Sequence, residues 1–425
     1  MKKQVCSLSA TKQSMFYVFM LINICACFCQ ENKTAITKIT SSKRQVNECF
    51  GWACGIYNNY CVVGTPGTMG YSNNSRTKGA LAQEVGSISI FKNTGENNWQ
   101  FKQKIVSDNS KACDFFGDAV GINEKFIVVG AKGEDSSIEP DHLIRNGAVY
   151  IYTLDKDGIW IKHQKLVLAQ SNPNDNFGFK VSINNSNLVA SAPVKINQTT
   201  QSQGAVFVYQ LNNQNLWALA QEINSPNKDV YMFGKEIAQS DSILIISGQA
   251  SKMVYVYVYK LNNNGTYTLL TTISQVQKKN NEDMITSLAV LKNFILIGSA
   301  GEYDHNDNLK DDDTLVLANR EKKKLGAGLV SVYEIKANKA GVLKQTLVAK
   351  DSKADAHFGN SMAISDSLLI IGAFGDKLEN KQLKDNRYGG AAYIFIQKNN
   401  QWVQDKKICS HLVLVCNEDV LKKRL

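Results

Sequence analysis

The sequence predicts an all-β fold, a β-propeller of four-stranded blades, and three observations carry that prediction. A single unit recurs along the chain, read most plainly from Phe116: FGDAVGINEKFIVVGAK, a polar loop, GAVYIY, then WIKHQKL. Each copy contains four apolar or alternating runs separated by turn residues, the pattern of one blade that must stack on its neighbours to bury its faces. No segment shows the 3.6-residue apolar period of a helix.

The first strand of each unit opens on Phe-Gly, at Phe50 (FGWACGIYNNYCVVGTP), Phe116, Phe177 (FGFKVSINNSNLVASAP), Phe233 (FGKEIAQSDSILIISG) and Phe358 (FGNSMAISDSLLIIGAF), with a degenerate copy at Met284 (MITSLAVLKNFILIGSA). Glycine there lets the backbone crowd toward the propeller axis, and Phe fills the wedge between blades. The second strand is a continuous apolar run, FIVVG at Phe126 or LLIIG at Leu368. Such runs read as strands buried on both faces. The third strand is aromatic-rich: SISIF from Ser87, AVYIY from Ala148, AVFVY from Ala205, YVYVY from Tyr255, LVSVY from Leu329 and AAYIF from Ala391. The fourth alternates like a half-exposed outer strand. Trp99, Trp160, Trp217 and Trp402 share one phase of it, which marks them as packing residues. Trp52 instead follows Phe50-Gly51, where other units place Asp118, Phe179, Lys235, Thr286 and Asn360. It reads as packing, with a surface anchor as the alternative.

Blade number follows from the chain ends. TAITKI, from Thr34 to Ile39, resembles a fourth strand, and HLVLVCNEDVLKKRL after Ile408 resembles an inner strand, a turn and a stub. A propeller closes by completing a blade from both termini, which removes open edges. The expectation is therefore seven blades with an incomplete last one, a partial repeat over 409–425, and six blades as the alternative. Residues 30–425 form one domain.

The Phe-Gly starts, the second-strand ends (Gly64-Thr65-Pro66, Gly130-Ala131-Lys132, Ser191-Ala192-Pro193, Gly372-Ala373-Phe374) and the Gly-Ala-Val-Tyr third strand together resemble FG-GAP repeats, from about Phe50 to Ile408. The resemblance extends to the N-terminal propeller of α-integrins and implies a secreted or surface protein that binds a partner. The chain departs from α-integrins at the first hairpins, which lack their Asp-rich calcium loops: the turns here are short and poor in acid. No calcium site is expected at those hairpins. The one acidic cluster, Asp304 to Asp313, offers Asp304, Asn306 and Asn308 as alternating oxygen donors, but Leu309 sits where a turn glycine is needed, so it reads as a solvated loop.

Residues 1–29 combine Lys2, Lys3 and Lys12 with an apolar stretch from Met15 to Cys29, a secretory signal peptide, with an uncleaved signal anchor as the alternative. Sequons at Asn32, Asn73, Asn184, Asn197 and Asn264 fit that route and are the candidate glycosylation sites. Of ten Cys, Cys49, Cys54, Cys61, Cys113, Cys409 and Cys416 lie beyond the leader. In an oxidising compartment two pairings are plausible from position: Cys54 with Cys61 across one hairpin, and Cys49 with Cys113, each just before a Phe-Gly start.

The formal charge of +10 is dispersed, with no basic stripe bearing stacking aromatics, so nucleic acid is not an expected partner. The five His show neither HExxH spacing nor a nucleophile's partner motif, and no GxSxG or phosphate loop is present. No catalytic residue and no cofactor are assigned, and the reading is a non-enzyme. The densest titratable loop holds His142 with Asp135, Glu139 and Asp141. Long insertions, 65–85, 132–146, 301–327 and 374–389, all join second to third strands and share one face with the loops that precede each Phe-Gly. That face is the expected site for a protein or glycan ligand. A passive surface or matrix glycoprotein is the alternative, and a membrane would be reached only through an uncleaved signal or a partner.

Overall fold

The computed structural model describes residues 39, 49–67, 86–95, 98–107, 114–134, 145–196, 203–251, 253–276, 285–301, 326–336, 341–365, 367–376 and 390–409. They form six four-stranded antiparallel sheets, each built from consecutive strands, and no helix. Blade 1 holds β1 (Ala53–Tyr57), β2 (Tyr60–Thr65), β3 (Ser87–Asn93) and β4 (Trp99–Ile105). Blade 2 holds β5 (Phe116–Ile122), β6 (Phe126–Ala131), β7 (Ala148–Leu154) and β8 (Trp160–Leu166). Blade 3 holds β9 (Val181–Ile183), β10 (Asn187–Ala192), β11 (Ala205–Leu211) and β12 (Trp217–Asn224). Blade 4 holds β13 (Ile237–Gln239), β14 (Ile243–Gln249), β15 (Met253–Leu261) and β16 (Tyr267–Val276). Blade 5 holds β17 (Ile285–Leu291), β18 (Phe294–Ser299), β19 (Leu329–Glu334) and β20 (Val342–Leu347). Blade 6 holds β21 (Phe358–Ser365), β22 (Leu368–Ala373), β23 (Ala391–Lys398) and β24 (Gln401–Cys409). This is a β-propeller, and six is the blade count held as the alternative. Cys409, where a partial repeat was expected to begin, ends β24 instead. The rest of that repeat, the leader over 1–29 and Thr34 to Lys38 lie outside the described residues.

The Phe-Gly pair has a sharper cause than crowding at the axis. Each pair sits in a four-residue turn, with Trp52 N–H donating to Cys49 O and Asp118 N–H to Phe115 O. The glycine has a positive φ, +93° at Gly117, as the third position of a type II turn demands. A Cβ at Gly117 would also lie 2.5 Å from the carbonyl oxygen of Ser87, in the preceding blade. The residue ahead of Phe is left-handed as well: Cys49, Phe115, Asn176, Met232 and His357 have φ of 54° to 55°. Backbone strain at a non-glycine residue is therefore repeated at every described start.

Stability resides at the joints between blades. Ile105 and Val62 of blade 1 pack with Phe116 and Tyr150 of blade 2, and the same arrangement recurs at the next four joints. Second-strand glycines permit this closeness, since a Cβ on Gly130 would stand 2.1 Å from Gly178 O in the following blade. Inner strands touch in the series β1, β5, β9, β13, β17, β21, and that close packing is not formed between β21 and β1. Six blades thus share five interblade cores among the described residues. One expectation is corrected at the open joint: LLIIG of β22 is not buried on both faces. Leu369 and Ile371 are fully buried, whereas Leu368 and Ile370 are 39% and 38% exposed.

Candidate functional site

The loops between second and third strands leave the frame through fixed necks. In blade 2, Glu134 N–H bonds to Ala131 O and Gly147 N–H to Glu134 O, so the insertion departs and returns within one turn. Lys195 and Gly204 make the same neck in blade 3, and Asp376 and Gly390 in blade 6. Gly133 N–H bonds to Asp114 O, and Gly375 N–H to Ala356 O, which ties the necks of blades 2 and 6 to the segment just before a Phe-Gly start. Both loop classes therefore share one face.

Two necks carry the same polar constellation. In blade 2 the Lys165 ammonium pairs with Glu134 and lies 5.2 Å from the centre of the Tyr150 ring, while Ser107 Oγ donates to Tyr150 OH at 3.0 Å. In blade 6 Lys407 Nζ sits 2.6 Å from Asp351 Oδ2, 2.9 Å from Asp376 Oδ2 and 5.3 Å from the Tyr393 ring centre. Tyr393 OH lies 2.6 Å from Asp376 Oδ2 and 3.0 Å from Asp351 Oδ1. The correspondence follows from register, because Tyr150 is opposite Lys165 and Tyr393 opposite Lys407 across the third and fourth strands. Blade 3 changes the chemistry: Phe207 faces Glu222, and the neck residue is Lys195, 3.8 Å from buried Asp175. Burial, reinforced by the two carboxylates, drives the Tyr393 hydroxyl far above its ordinary range. Burial opposes the charge on Asp351, but hydrogen bonds from Lys407 and Tyr393 outweigh it and hold that carboxyl low. These groups are spent on one another, which makes them supports for the loops.

A second set of charges follows the Phe-Gly turns on the inner strands. Lys132 Nζ lies 2.9 Å from Asp118 Oδ2 and over the Phe115 and Phe179 rings, and Lys180 Nζ is 3.0 Å from Glu236 Oε2. Burial raises the Glu236 carboxyl and lowers the Lys235 ammonium. Asp118, Phe179 and Lys235 were noted in the sequence only as the positions equivalent to Trp52. Trp52 itself is 49% exposed, at the open joint.

The sequence-derived candidates separate clearly. Asp304, Asn306, Asn308, His142, Asn32, Asn73, Asn197 and Cys113 lie outside the described residues. Among the described residues no three His, Cys, Asp or Glu side chains converge as metal ligands. Asn184 is a hairpin residue whose Nδ2 already donates to Ser240 O at 3.0 Å, while Asn123 Nδ2 reaches Asn184 O at 2.9 Å. Asn264 is exposed in the β15–β16 turn, its Oδ1 accepting from Thr266 Oγ1 at 2.7 Å. Cys49, Cys54 and Cys61 are free thiols. Cys54 is opposite Val63 and Cys61 opposite Ile56, so the two do not face each other across the hairpin as anticipated.

Sequence reading missed a recurrent clamp. Gln103 Nε2 donates to Trp160 O at 2.9 Å and Gln103 Oε1 accepts from Trp160 N–H at 3.0 Å. Gln221 with Tyr267 and Gln345 with Trp402 repeat this pair of bonds between successive outer strands. A cavity of about 230 Å³ beside the last clamp, lined by Phe294, Lys344 and Asn400, opens at the β23–β24 turn, on the face away from the loops.

A family model described as FG-GAP repeat matches residues 99–152, 160–209 and 342–395. Each match runs from the fourth strand of one blade through the third strand of the next. Comparison with curated proteins gives no match. Among solved structures, hydrazine synthase from Kuenenia stuttgartiensis is similar with a TM-score of 0.50 and 10% identity, over 85% of this chain and 80% of that one. A protein from Lactobacillus plantarum has a TM-score of 0.49 and 9% identity over 84% of both chains. The WD40 domain of coronin from Toxoplasma gondii has 0.47 and 7%, over 85% and 70%. At 10% identity the hydrazine synthase shares the fold alone.

Proposed function

From the premise that this chain carries FG-GAP repeats folded as a β-propeller, we propose that it is a protein-binding module acting through the loop face, outside the cell. The observation that carries this reading is the set of necks. Glu134–Gly147, Lys195–Gly204 and Asp376–Gly390 hold loop stems by backbone bonds on a frame that has packed cores at five of its joints. The loops differ in length and composition between blades while the frame stays constant. Such a division gives contacts that vary without disturbing the core. The Tyr, Lys and acid side chains under two necks pair with one another, which supports positioning of loops.

The extracellular part of the proposal rests on the basic and then apolar leader over 1–29 and on the exposed sequon Asn264. A glycan is the competing ligand class. The test is proximity labelling with an enzyme fused after Leu425, read on the cell surface and in the medium. One dominant protein partner, lost when residues 302–325 are replaced by a short Gly-Ser link while the unfolding midpoint is unchanged, is the expected result. Labelling confined to secretory machinery and diffuse neighbours would overturn it.

A further inference from the structure

The outer strand of every blade carries a β-bulge one residue before the clamp position, and a bulge re-aims the side chain of its extra residue. In blade 2 that residue is His163. At the joint of blades 2 and 3 its ring lies against Phe126, centres 5.4 Å apart, and its Nε2–H donates to Asn215 O at 2.7 Å, two residues before Trp217. In blade 3 the bulge residue is Ala220, too short to reach across. Gln210 Nε2 donates instead to Gly265 O at 2.6 Å, two residues before Tyr267. A planar N–H donor therefore meets the same carbonyl at both joints. The donor is an aromatic ring where the second strand begins with Phe126, and an amide where it begins with Asn187.

At the joint of blades 5 and 6 the same position is the cavity of about 230 Å³. Phe294 begins β18 as Phe126 begins β6, and Asn400 precedes Trp402 by two residues with a φ of 61°, the value at Asn215. The bulge residue Lys344 lines the cavity, but its Nζ is drawn to Glu334 Oε2 at 3.2 Å. Thr153 holds that register in blade 2, so no carboxylate diverts His163. Among the described residues no side chain is bonded to Asn400. We propose that this cavity binds a planar heterocycle bearing a ring N–H, such as an imidazole, which lies on Phe294 and donates to Asn400 O as His163 does with Phe126 and Asn215. The volume falls below the about 300–1,000 Å³ of pockets for drug-sized ligands, which suits a single ring system. A free heterocycle and a histidine side chain of a partner offer the same chemistry. The site faces away from the loops and is independent of the loop-face reading.

Saturation-transfer NMR on the intact chain tests this with imidazole, at about pH 8.5 where the ring is neutral. Saturable binding is expected, with 1-methylimidazole at least about threefold weaker, because methylation keeps the ring and removes the N–H donor. Lys344→His should supply the ring from the protein itself and abolish imidazole binding, while the urea midpoint stays at or above wild type. Lys102→His, at the exposed bulge of β4, should leave binding unchanged. Acetyl-histidine-methylamide separates the two sources. Competition with imidazole at similar concentrations assigns the site to a histidine of a partner, and failure to compete assigns it to a free heterocycle. No saturable imidazole binding, equal binding of imidazole and 1-methylimidazole, or unchanged binding in a folded Lys344→His variant would each overturn the proposal.

Discussion

Gln164 and Trp217 hold two adjacent blades together by a reciprocal pair of hydrogen bonds, Gln164 Nε2 to Trp217 O at 3.0 Å and Trp217 N–H to Gln164 Oε1 at 2.8 Å. The indole is buried against Phe126, ring centres 5.5 Å apart, so the peptide groups beside it have no ready access to water. Gln164→Leu keeps the volume and removes both partners. The expected cost is about 1–3 kcal/mol, the penalty for stranding buried backbone groups. Urea unfolding followed by tryptophan fluorescence reads it, with Gln100→Leu on an exposed stretch of β4 as the control that stays near wild type.

Gly130→Ala separates steric from conformational cost. Its Cβ would lie 2.1 Å from Gly178 O, a backbone atom of the next blade that cannot swing aside. The loss should reach or exceed the upper end of the about 1–3 kcal/mol typical of overpacking. Gly158 has a positive φ of 73° but open space around its Cβ position. Gly158→Ala should therefore cost about 1–2 kcal/mol, from the left-handed backbone alone. Paired melting curves check the order, and equal losses at the two sites would refute the joint as the reason for the second-strand glycine.

The repeat made the fold legible because each blade must present the same apolar pattern to both neighbours, and a period of that kind survives in single residues such as Phe116 and Trp160. The glutamine clamp was equally periodic, with Gln103, Gln164 and Gln221 each four residues after an aromatic or its equivalent, yet it was invisible as chemistry. A glutamine in the polar body of an outer strand looks solvated until the neighbouring blade is placed beside it. The same limit explains β22: LLIIG announces two buried faces, and only the arrangement of blades shows that Leu368 and Ile370 meet no sheet among the described residues. The loops between second and third strands resisted for a different reason, since their chemistry is not constrained by the repeat that makes the frame readable.

The Asp351–Lys407–Asp376 group gives stability a defined acid dependence. Asp351 is held below its ordinary value, so its contribution is complete above the unfolded carboxylate range and is lost as pH falls through the lower folded value. Lys407 is held above its ordinary value despite burial, by its bonds to the two carboxylates, so its contribution is present below the unfolded lysine value and fades only in strong alkali. Lys407→Met should destabilise the neutral protein by about 1–3 kcal/mol, because buried Asp376 loses its cation. It should also flatten the acid-side fall in melting temperature, because Asp351 would lose the bond that holds its carboxyl low. A variant as acid-sensitive as wild type would show that other carboxylates set that limb.

Cys54 and Cys61 should both remain free thiols. Their register makes them diagonal neighbours on the first hairpin, with Cα atoms about 7–8 Å apart by strand geometry, beyond the about 4.4–6.8 Å that a disulfide spans. Burial, aided by the neighbouring Cys54, pushes the Cys61 thiol up to about 11, and burial raises Cys54 too. Only about one Cys61 side chain in a thousand is thiolate at pH 8, so it should be a poor nucleophile there. Alkylation by iodoacetamide, mapped by mass spectrometry, should proceed at both residues in non-reduced protein, with the Cys61 rate rising about tenfold per pH unit up to pH 10. A non-reduced protein in which both positions resist alkylation until a reductant is added would mean that the hairpin shifts register to close a 54–61 bond, and the strand pairing of Ile56 with Cys61 would have to be abandoned.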